Sequence, residues 1–212
     1  MTPPKAHNAR ARITKPVQKR SIETRNRIID AAKALFAEKG FEDTNTNLIA
    51  SRAGLSIGSV YAHFTDKWEI FHTILEDFSS AVFEYLKESI QKIIKDQNSL
   101  NDAIELLIHG LYKAHMLNGR LNAEIDKFTI MDSKAGKIRS GWEAKTNREI
   151  SNLMTHFGDQ IRIKNTTAAV TVIHRSAHEV FQYLYKNRGL LEENIVLNEF
   201  ITMIQSYLAG RT

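Results

Sequence analysis

The sequence predicts an all-α protein of about nine helices, and three observations support that fold class. The chain has 212 residues, of which 42% are apolar, enough for a sizeable buried core. Its three prolines are Pro3, Pro4 and Pro16, and none follows in residues 17–212. Because proline breaks helix interiors, such a stretch favours continuous helices. Apolar residues recur there at helical spacing, without the alternation that is typical of strands.

The composition excludes several classes of protein. The chain has no cysteine, which excludes disulfide scaffolds, thiolate zinc sites and cysteine nucleophiles. No apolar run approaches the ~18 residues of a transmembrane helix, and no apolar segment follows the basic N-terminus as it would in a signal peptide. We therefore expect a protein of a reducing compartment, the cytoplasm, that does not use a membrane as its partner.

Positive charge is concentrated at the N-terminus. Residues 1–27 carry a net charge of +7, whereas the whole chain carries +5, so the remainder carries −2. Such a basic segment indicates a polyanionic partner, either nucleic acid or an anionic membrane surface, although a solvated tail would have the same composition. Residues 1–20 hold all three prolines and few apolar residues, and we expect this basic arm to be disordered when free.

Four helices are predicted in the first part of the chain, at about 21–39, 45–53, 56–64 and 65–95. The first has one apolar stripe, formed by Ile28, Ile29, Ala32, Leu35 and Phe36. Their predicted N-caps are small polar residues: Ser21 or Thr24, Thr44 or Asn45, Ser56, and Thr65. Gly40 ends the first helix, and Gly54 breaks the chain between the second and third.

Five further helices are predicted beyond Asn98, at 99–118, 120–135, 137–158, 166–188 and 192–208. Four glycines lie near the expected joints, where a left-handed residue can end a helix: Gly119, Gly136, Gly158 and Gly189.

Residues 45–64 have the spacing of a helix–turn–helix motif, whose second helix enters the DNA major groove. Six apolar positions can face inward: Leu48, Ile49, Ala53, Leu55, Val60 and Phe64. The outward positions of the second helix are small or hydrogen-bonding: Ser56, Gly58, Ser59, Tyr61, Ala62 and His63. An ordinary helical hairpin with polar exposed residues would show the same spacing.

A longer pattern surrounds this motif. It begins as Arg25-x-x-Ile28-Ile29-x-Ala31-Ala32-x-x-Leu35-Phe36-x-x-x-Gly40-Phe41. It continues as Thr44-x-Thr46-x-x-Ile49-Ala50-x-x-Ala53-Gly54-Leu55-Ser56-x-Gly58-Ser59-Val60-Tyr61-x-His63-Phe64-x-x-Lys67. This pattern resembles the TetR family of bacterial transcription regulators over about 45 residues. Residues after about 95 match that family in helical layout and size only.

The resemblance implies an all-α homodimer with two regions in each subunit. A three-helix DNA-binding domain is expected at 21–66, with its motif at 45–64, and an effector-binding and dimerisation domain at 67–212. The dimer would form through the 166–188 and 192–208 helices, although a fully interior helix of a monomer would also be apolar on two sides.

The implied function is transcriptional regulation in the bacterial cytoplasm. The family default is a repressor that responds to a small-molecule effector and binds a palindromic double-stranded DNA operator as a dimer. An activator, or a non-regulatory membrane-surface protein, is the alternative reading.

The family motif implies nine DNA-contacting residues: Thr46, Asn47, Arg52, Ser56, Gly58, Ser59, Tyr61, His63 and Lys67. Asn47 can bridge N6 and N7 of adenine or face water, and Arg52 can contact the DNA backbone or solvent. Phosphate contacts are expected from Thr46, His63 and Lys67. Among the basic residues nearest the fold, the best candidates for contacts with the DNA backbone or the minor groove are Lys19, Arg20 and Arg25.

Candidates for the effector pocket lie in the middle helices: Leu111, Tyr112, His115, Met116, Phe128, Met131, Trp142 and Phe157. Most would suit a plain core equally well. We expect the pocket to favour a bulky apolar or aromatic compound, since ligand sites are mostly hydrophobic.

The motifs of common enzymes are absent from the sequence, including the nucleophile elbow, the phosphate-binding loop and the zinc-protease helix. His174 and His178 lie one helical turn apart and could pair on a metal, but no third ligand is evident. We therefore expect no catalytic residue, no metal and no cofactor. A membrane-surface protein would need a basic amphipathic helix with an exposed apolar face, and none is evident.

Overall fold

The computed structural model describes residues 14–117, 119–189 and 192–209, with side chains from residue 18 onward. These residues form nine α-helices and one short 3₁₀ helix, and no strand occurs among them, which confirms the all-α fold class. The helices are α1 (Thr14–Lys39), α2 (Thr46–Ala53), α3 (Ile57–Tyr61), α4 (Lys67–Lys95), α5 (Leu100–Leu117), α6 (Gly119–Met131), α7 (Ser133–Phe157), α8 (Thr166–Lys186) and α9 (Glu193–Ala209). The 3₁₀ helix Gly158–Gln160 follows α7.

The chain divides into two compact units, and the boundary falls between Ile74 and Leu75. The sequence placed this boundary at 66/67, eight residues earlier. The difference arises because the first turns of α4 belong to the core of the N-terminal unit. There Phe71 is fully buried, and its ring lies 6.2 Å from that of Phe36 and 5.1 Å from that of Phe41.

The helix α1 begins at Thr14, seven residues before the predicted start. Residues 14–20 of the expected disordered arm are therefore helical, whereas residues 1–13 lie outside the described residues. Pro16 lies in the first turn, where backbone N–H groups have no intrahelical partner, so proline is tolerated there. Lys19 and Glu23 form an i,i+4 ion pair at 4.0 Å, which adds local support. The predicted stripe of α1 is buried as expected.

Two predicted helix boundaries also change. The N-cap of α4 is Asp66, whose Oδ1 accepts from the backbone N–H of Glu69 at 2.8 Å, and Thr65 instead donates its hydroxyl to Glu69. The break between α6 and α7 falls at Asp132 rather than at Gly136. Asp132 Oδ1 accepts from the backbone N–H of Ala135 at 2.7 Å, which satisfies a first-turn donor as a helix start requires.

The core of the C-terminal unit joins α4, α5, α7, α8 and α9. Its members from α9 are all buried: Leu197, Phe200, Ile201, Ile204 and Leu208. Within the described residues, none of the helices has the combination of length and apolarity that crossing a membrane requires.

Candidate nucleic-acid interface and ligand cavity

The helix pair α2–α3 has the predicted caps and turn. Asn45 is the cap of α2, with its Oδ1 accepting from the backbone N–H of Leu48 at 2.9 Å. Gly54 has φ 63° and ψ 41°, a left-handed conformation that L-residues rarely adopt. Ser56 caps α3, and its Oγ accepts from the backbone N–H of Ser59 at 3.1 Å. These contacts confirm the helix–turn–helix and fix the direction of α3.

Arg27 of α1 stabilises the turn between α2 and α3. Its Nη2 donates to the carbonyl oxygens of Ala53 at 2.5 Å and of Gly54 at 3.2 Å. A Cβ on Gly54 would lie 3.1 Å from that nitrogen. The final carbonyls of a helix have no intrahelical partner and carry negative partial charge, so a guanidinium suits them. Sequence reasoning missed this role; its signal is the position of Arg27 beside the buried Ile28.

The expected DNA-facing side chains share an accessible surface. Asn47, Ser56, Gly58 and Tyr61 are exposed, while four others are half-buried: Thr46, Ser59, His63 and Lys67. The hydroxyls of Thr46 and Tyr61 are 3.1 Å apart, so the start of α2 and the end of α3 are hydrogen-bonded.

Gly58 has no packing partner that requires glycine. A Cβ there would meet the Oγ of Ser56 at 3.9 Å and no closer atom of the described chain. The missing side chain therefore leaves open space on the outer surface of α3.

Arg52 is held by an ion pair rather than directed outward. Its two terminal nitrogens donate to the carboxylate of Glu38 at 2.9 and 2.7 Å. The hydrogen bond from Arg52 lowers the pKa of Glu38, and the same contact raises the pKa of Arg52. Nothing in the sequence pattern indicated this partner, and a contact of Arg52 with the DNA backbone stays a prediction.

Lys67 also has an intramolecular role that the sequence did not predict. Its ammonium donates to the carbonyl of Phe41 at 2.5 Å and lies 4.2 Å from the centroid of the Phe41 ring. Burial lowers the pKa of Lys67, while Glu42 and Asp43 act in the opposite direction. Lys67 thus packs the start of α4 against the loop after α1, and a phosphate contact stays a prediction.

The arm residues next to the fold are partly engaged as well. The guanidinium of Arg25 lies 5.4 Å from the centroid of the Phe64 ring, a cation–π contact within the N-terminal unit. Lys19 pairs with Glu23, and the backbone carbonyl of Arg20 accepts from the hydroxyl of Thr24 at 2.9 Å.

The C-terminal unit contains a cavity of about 200 Å³. Three of the predicted pocket residues line it, namely Leu111, His115 and Trp142. Further apolar lining residues include Phe78, Val82, Ile125, Ala177 and Phe181. Eight further polar lining residues were not predicted for the pocket: Ser79, Asn122, Asp126, Arg139, Glu143, Thr146, His174 and His178. Polar positions on long helices look solvent-facing in a sequence, so periodicity gives no signal for them.

Five predicted pocket residues do not line the cavity: Tyr112, Met116, Phe128, Met131 and Phe157. Tyr112 donates its hydroxyl to Glu193 at 2.6 Å, a bond that adds to burial in raising its pKa to about 12. Phe128 and Phe157 are buried in the core, Met131 is 67% exposed at the end of α6, and Met116 is half-buried.

The polar wall of the cavity is an ion-pair network. The carboxylate of Asp126 accepts from Arg139 and Gln182, and its Oδ1 lies 3.1 Å from Nε2 of His178. Burial acts to raise the pKa of Asp126, but His178 and Arg139 outweigh it and hold that pKa below its ordinary value. Glu143 accepts from Arg139 at 3.2 Å and from Arg175 at 2.8 Å.

The two histidines of α8 are engaged with separate partners. Nδ1 of His174 lies 2.7 Å from the Oδ1 of Asn147, and burial lowers the pKa of His174. His178 contacts Asp126 and therefore belongs to the polar wall.

The geometry defines the N-terminal unit as a DNA-binding domain of the helix–turn–helix class. Comparison with known proteins shows which family this unit is similar to. Residues 28–74 match the family model described as "Bacterial regulatory proteins, tetR family", and this match ends at the last residue of the N-terminal unit. This match is confined to the N-terminal unit, which is thus similar to the TetR-type regulators.

Two curated relatives agree with this assignment. The regulator AcrR of Shigella flexneri is 38% identical over 89 residues, which cover 42% of this chain and 40% of that protein. A helix–turn–helix transcriptional regulator of Staphylococcus aureus is 36% identical over 70 residues, which cover 32% of this chain and 38% of that protein. The chain thus spans about two fifths of the length of these relatives.

Solved structures show that the fold likeness extends over most of the chain. The fatty acid degradation regulator FadR of Bacillus halodurans has a TM-score of 0.70 at 16% identity. The alignment covers 89% of this chain and 97% of that one. At this identity the likeness concerns the fold alone.

Proposed function

We propose that the protein is a DNA-binding transcriptional regulator of the bacterial cytoplasm, a repressor that a small effector releases from its operator. The observation that carries this proposal is the outer surface of α3, where Gly58 leaves space that no internal contact uses. A helix backbone that must approach base edges and phosphates closely benefits from such a position. The TetR-type match over residues 28–74 supports the same function.

The side chains around Gly58 can be divided into those that would contact DNA phosphates and one that would read a base. The hydroxyls of Thr46 and Tyr61, together with His63 and Lys67, can contact phosphates and fix the register. Asn47 is exposed at the start of α2, where its amide can pair with an adenine edge.

A homodimer would supply the second recognition helix. The exposed side of α9 carries Ile195, Met203 and Tyr207, which are 47–56% exposed and lie at positions i, i+8 and i+12 of the helix. On α8, Val172 and Tyr183 are 57% and 54% exposed. Apolar stripes on both helices support pairing of α8 and α9 with their counterparts in a second subunit. Two recognition helices about 34–36 Å apart would then read a palindrome across successive major grooves.

The effector would bind in the cavity of the C-terminal unit. The helix α4 is continuous across the boundary between the units, because it runs from Lys67 to Lys95. An effector that prefers the conformation with low DNA affinity would lower DNA binding by its difference in affinity for the two conformations.

The DNA-binding proposal is tested by selecting bound fragments from genomic DNA and measuring affinity for the selected site by fluorescence anisotropy. Gly58→Leu should reduce affinity at least tenfold, because its side chain would occupy the space facing the groove. It should leave the melting temperature nearly unchanged, because a Cβ at this position meets little. Failure to retain any fragment, or unchanged affinity of Gly58→Leu, would refute the proposal.

The dimer is tested separately by sedimentation. The wild type should sediment as a dimer at micromolar concentration, and Met203→Glu should shift it toward the monomer. Lys92→Glu, a charge change on α4, serves as the control. A monomeric wild type would count against the dimer.

A further inference from the structure

Two neighbouring polar groups in the cavity have hydrogen-bonding atoms without a partner in the described chain. These atoms are Nε2 of His115 and Oδ1 of Asn122, and both are buried. Asn122 is only 6% exposed, and both residues line the cavity. Buried polar atoms are normally hydrogen-bonded, so two unpartnered atoms in one cavity indicate a missing ligand or water.

The surrounding contacts determine which of the two atoms donates. Nδ2 of Asn122 donates to the backbone carbonyl of His115 at 3.1 Å, which fixes the amide with Oδ1 as the unpartnered acceptor. The same Nδ2 lies 3.4 Å from Nδ1 of His115. An amide nitrogen can only donate, so Nδ1 is the acceptor and the ring proton is on Nε2. One donor and one acceptor without partners in the described chain therefore belong to residues that line the cavity.

The imidazole of His115 is neutral at physiological pH. Burial lowers its pKa to about 4, the nearby His178 contributes in the same direction, and Asp126 opposes them. The free donor is thus an uncharged N–H group.

The charged groups of the polar wall already neutralise one another. Asp126 pairs with Arg139, and Glu143 pairs with both Arg139 and Arg175, which gives two carboxylates and two guanidinium groups. An ionic ligand would have to displace one of these partners and leave the other unpaired, which is unfavourable in a buried site. The groups that remain available are the neutral ones, His115 and Asn122.

The volume indicates the size of the group that the cavity can enclose. A cavity of about 150 Å³ can accommodate a benzene ring. The cavity of about 200 Å³ therefore suits a single ring with one small substituent. Its apolar side, formed by Phe78, Val82 and Phe181 among others, matches the ring.

We propose that the cavity binds an uncharged, ring-sized compound that carries a carboxamide group. The carbonyl of the carboxamide accepts from Nε2 of His115, and its N–H donates to Oδ1 of Asn122. The ring packs against the apolar side. This inference rests on the proposed function of the cavity as the effector site, and it adds the chemical class of the effector.

Four ring compounds of similar size test this proposal on the full-length wild type by calorimetry: benzamide, benzoate, benzylamine and ethylbenzene. Benzamide should bind at least tenfold more tightly than the other three, because it alone is uncharged and offers both a donor and an acceptor. Equal or tighter binding of any of the other three would overturn the proposal, and so would the absence of benzamide binding at low-millimolar concentration.

Two histidine variants locate the binding site. His115→Phe keeps a ring of similar size but removes the donor, so benzamide binding should weaken at least tenfold while ethylbenzene binding is retained or improves. His156→Phe makes the same change at an exposed position outside the cavity and should bind benzamide as the wild type does. Unchanged benzamide binding by His115→Phe would refute the assignment. Should that variant not fold, the ligand series on the wild type still decides.

The two proposals fail in different experiments. A protein that retains genomic DNA but does not prefer benzamide would disprove the ligand class and leave the regulator intact. A protein that prefers benzamide but retains no DNA would disprove the regulator.

Discussion

The interiors of the two units differ in what they bury. The N-terminal unit has a core of large apolar side chains, such as Ile28, Phe36 and Phe71, that are fully buried. Its buried polar side chains include Thr44, which donates to the carbonyl of Gly40 at 2.7 Å, and His72, whose ring stacks on that of Trp68 at 6.0 Å. The C-terminal unit instead buries Asn122 and Gln182, each with an atom that lacks a partner in the described chain, next to a cavity.

This difference indicates two kinds of task. A well-packed core with caps at both recognition elements holds α3 in one conformation, as a surface that must match DNA requires. Buried polar atoms without partners in the described chain can pair with a ligand, and a ligand that prefers one conformation shifts the protein toward it. The predictions below test whether each unit depends on the interactions assigned to it.

The largest effect on stability is expected from the ion-pair network of the C-terminal unit. Asp126→Ala should lower the free energy of unfolding by about 3 kcal/mol, because it removes the acceptor of Gln182 and one of the two carboxylates that pair with the partly buried Arg139. Denaturant unfolding followed by circular dichroism measures this. Glu84→Ala breaks the exposed pair with Lys87 and is the matched control, with an expected change below about 1 kcal/mol. Similar losses of unfolding free energy in the two variants would show that the network stabilises the protein no more than an exposed ion pair does.

The turn of the helix–turn–helix should be the most sensitive position of the N-terminal unit. Gly54→Ala should lower the free energy of unfolding by about 1–2 kcal/mol, because its φ of 63° is unfavourable for residues with a Cβ. DNA affinity should fall with it, since the turn directs α3. Gly141→Ala is the control, because a Cβ there meets nothing within 4 Å. If Gly54→Ala and Gly141→Ala have the same free energy of unfolding, an alanine at residue 54 does not strain the turn.

The amount that could be predicted from the sequence also differs between the units. In the N-terminal unit, function depends on local signals such as the N-caps Asn45 and Ser56 and the turn at Gly54, and these were predicted correctly. Arg52 and Lys67 were interpreted without their partners, because Glu38 and the Phe41 carbonyl are distant in the sequence.

The cavity could be predicted only in part for the same physical reason. Leu111, His115 and Trp142 were identified as large or amphipathic residues in the middle helices. Asn122 and the ion-pair network were not predicted, because residues of α6, α7 and α8 come together only when these helices pack. Periodicity reports which side of a helix is apolar, whereas a polar cavity wall requires knowledge of the neighbouring helices.

A smaller effect is expected from the titration of His115. Its pKa in the folded protein is about 4, below the ordinary 6.5, so the unfolded chain binds the proton more readily between these values. The stability that the protein gains by burying neutral His115 is therefore fully present above about pH 6.5 and is lost as the pH falls toward 4. Melting temperatures between pH 7 and 4.5 should decrease less steeply for His115→Phe than for the wild type and for His156→Phe. Parallel curves for all three would contradict the burial of His115.

The smallest effect on stability is expected at Arg52, and it separates a structural from a DNA-binding role. Its pair with Glu38 is exposed, so Arg52→Met should leave the melting temperature nearly unchanged. If Arg52 also reaches phosphate, Arg52→Met should weaken DNA binding and reduce the slope of log K against log salt by about one unit. Glu38→Gln releases the guanidinium without removing it, so it should preserve or increase DNA affinity. Equal affinity for Arg52→Met and the wild type would remove Arg52 from the interface, and a loss shared by Glu38→Gln would assign the effect to the ion pair.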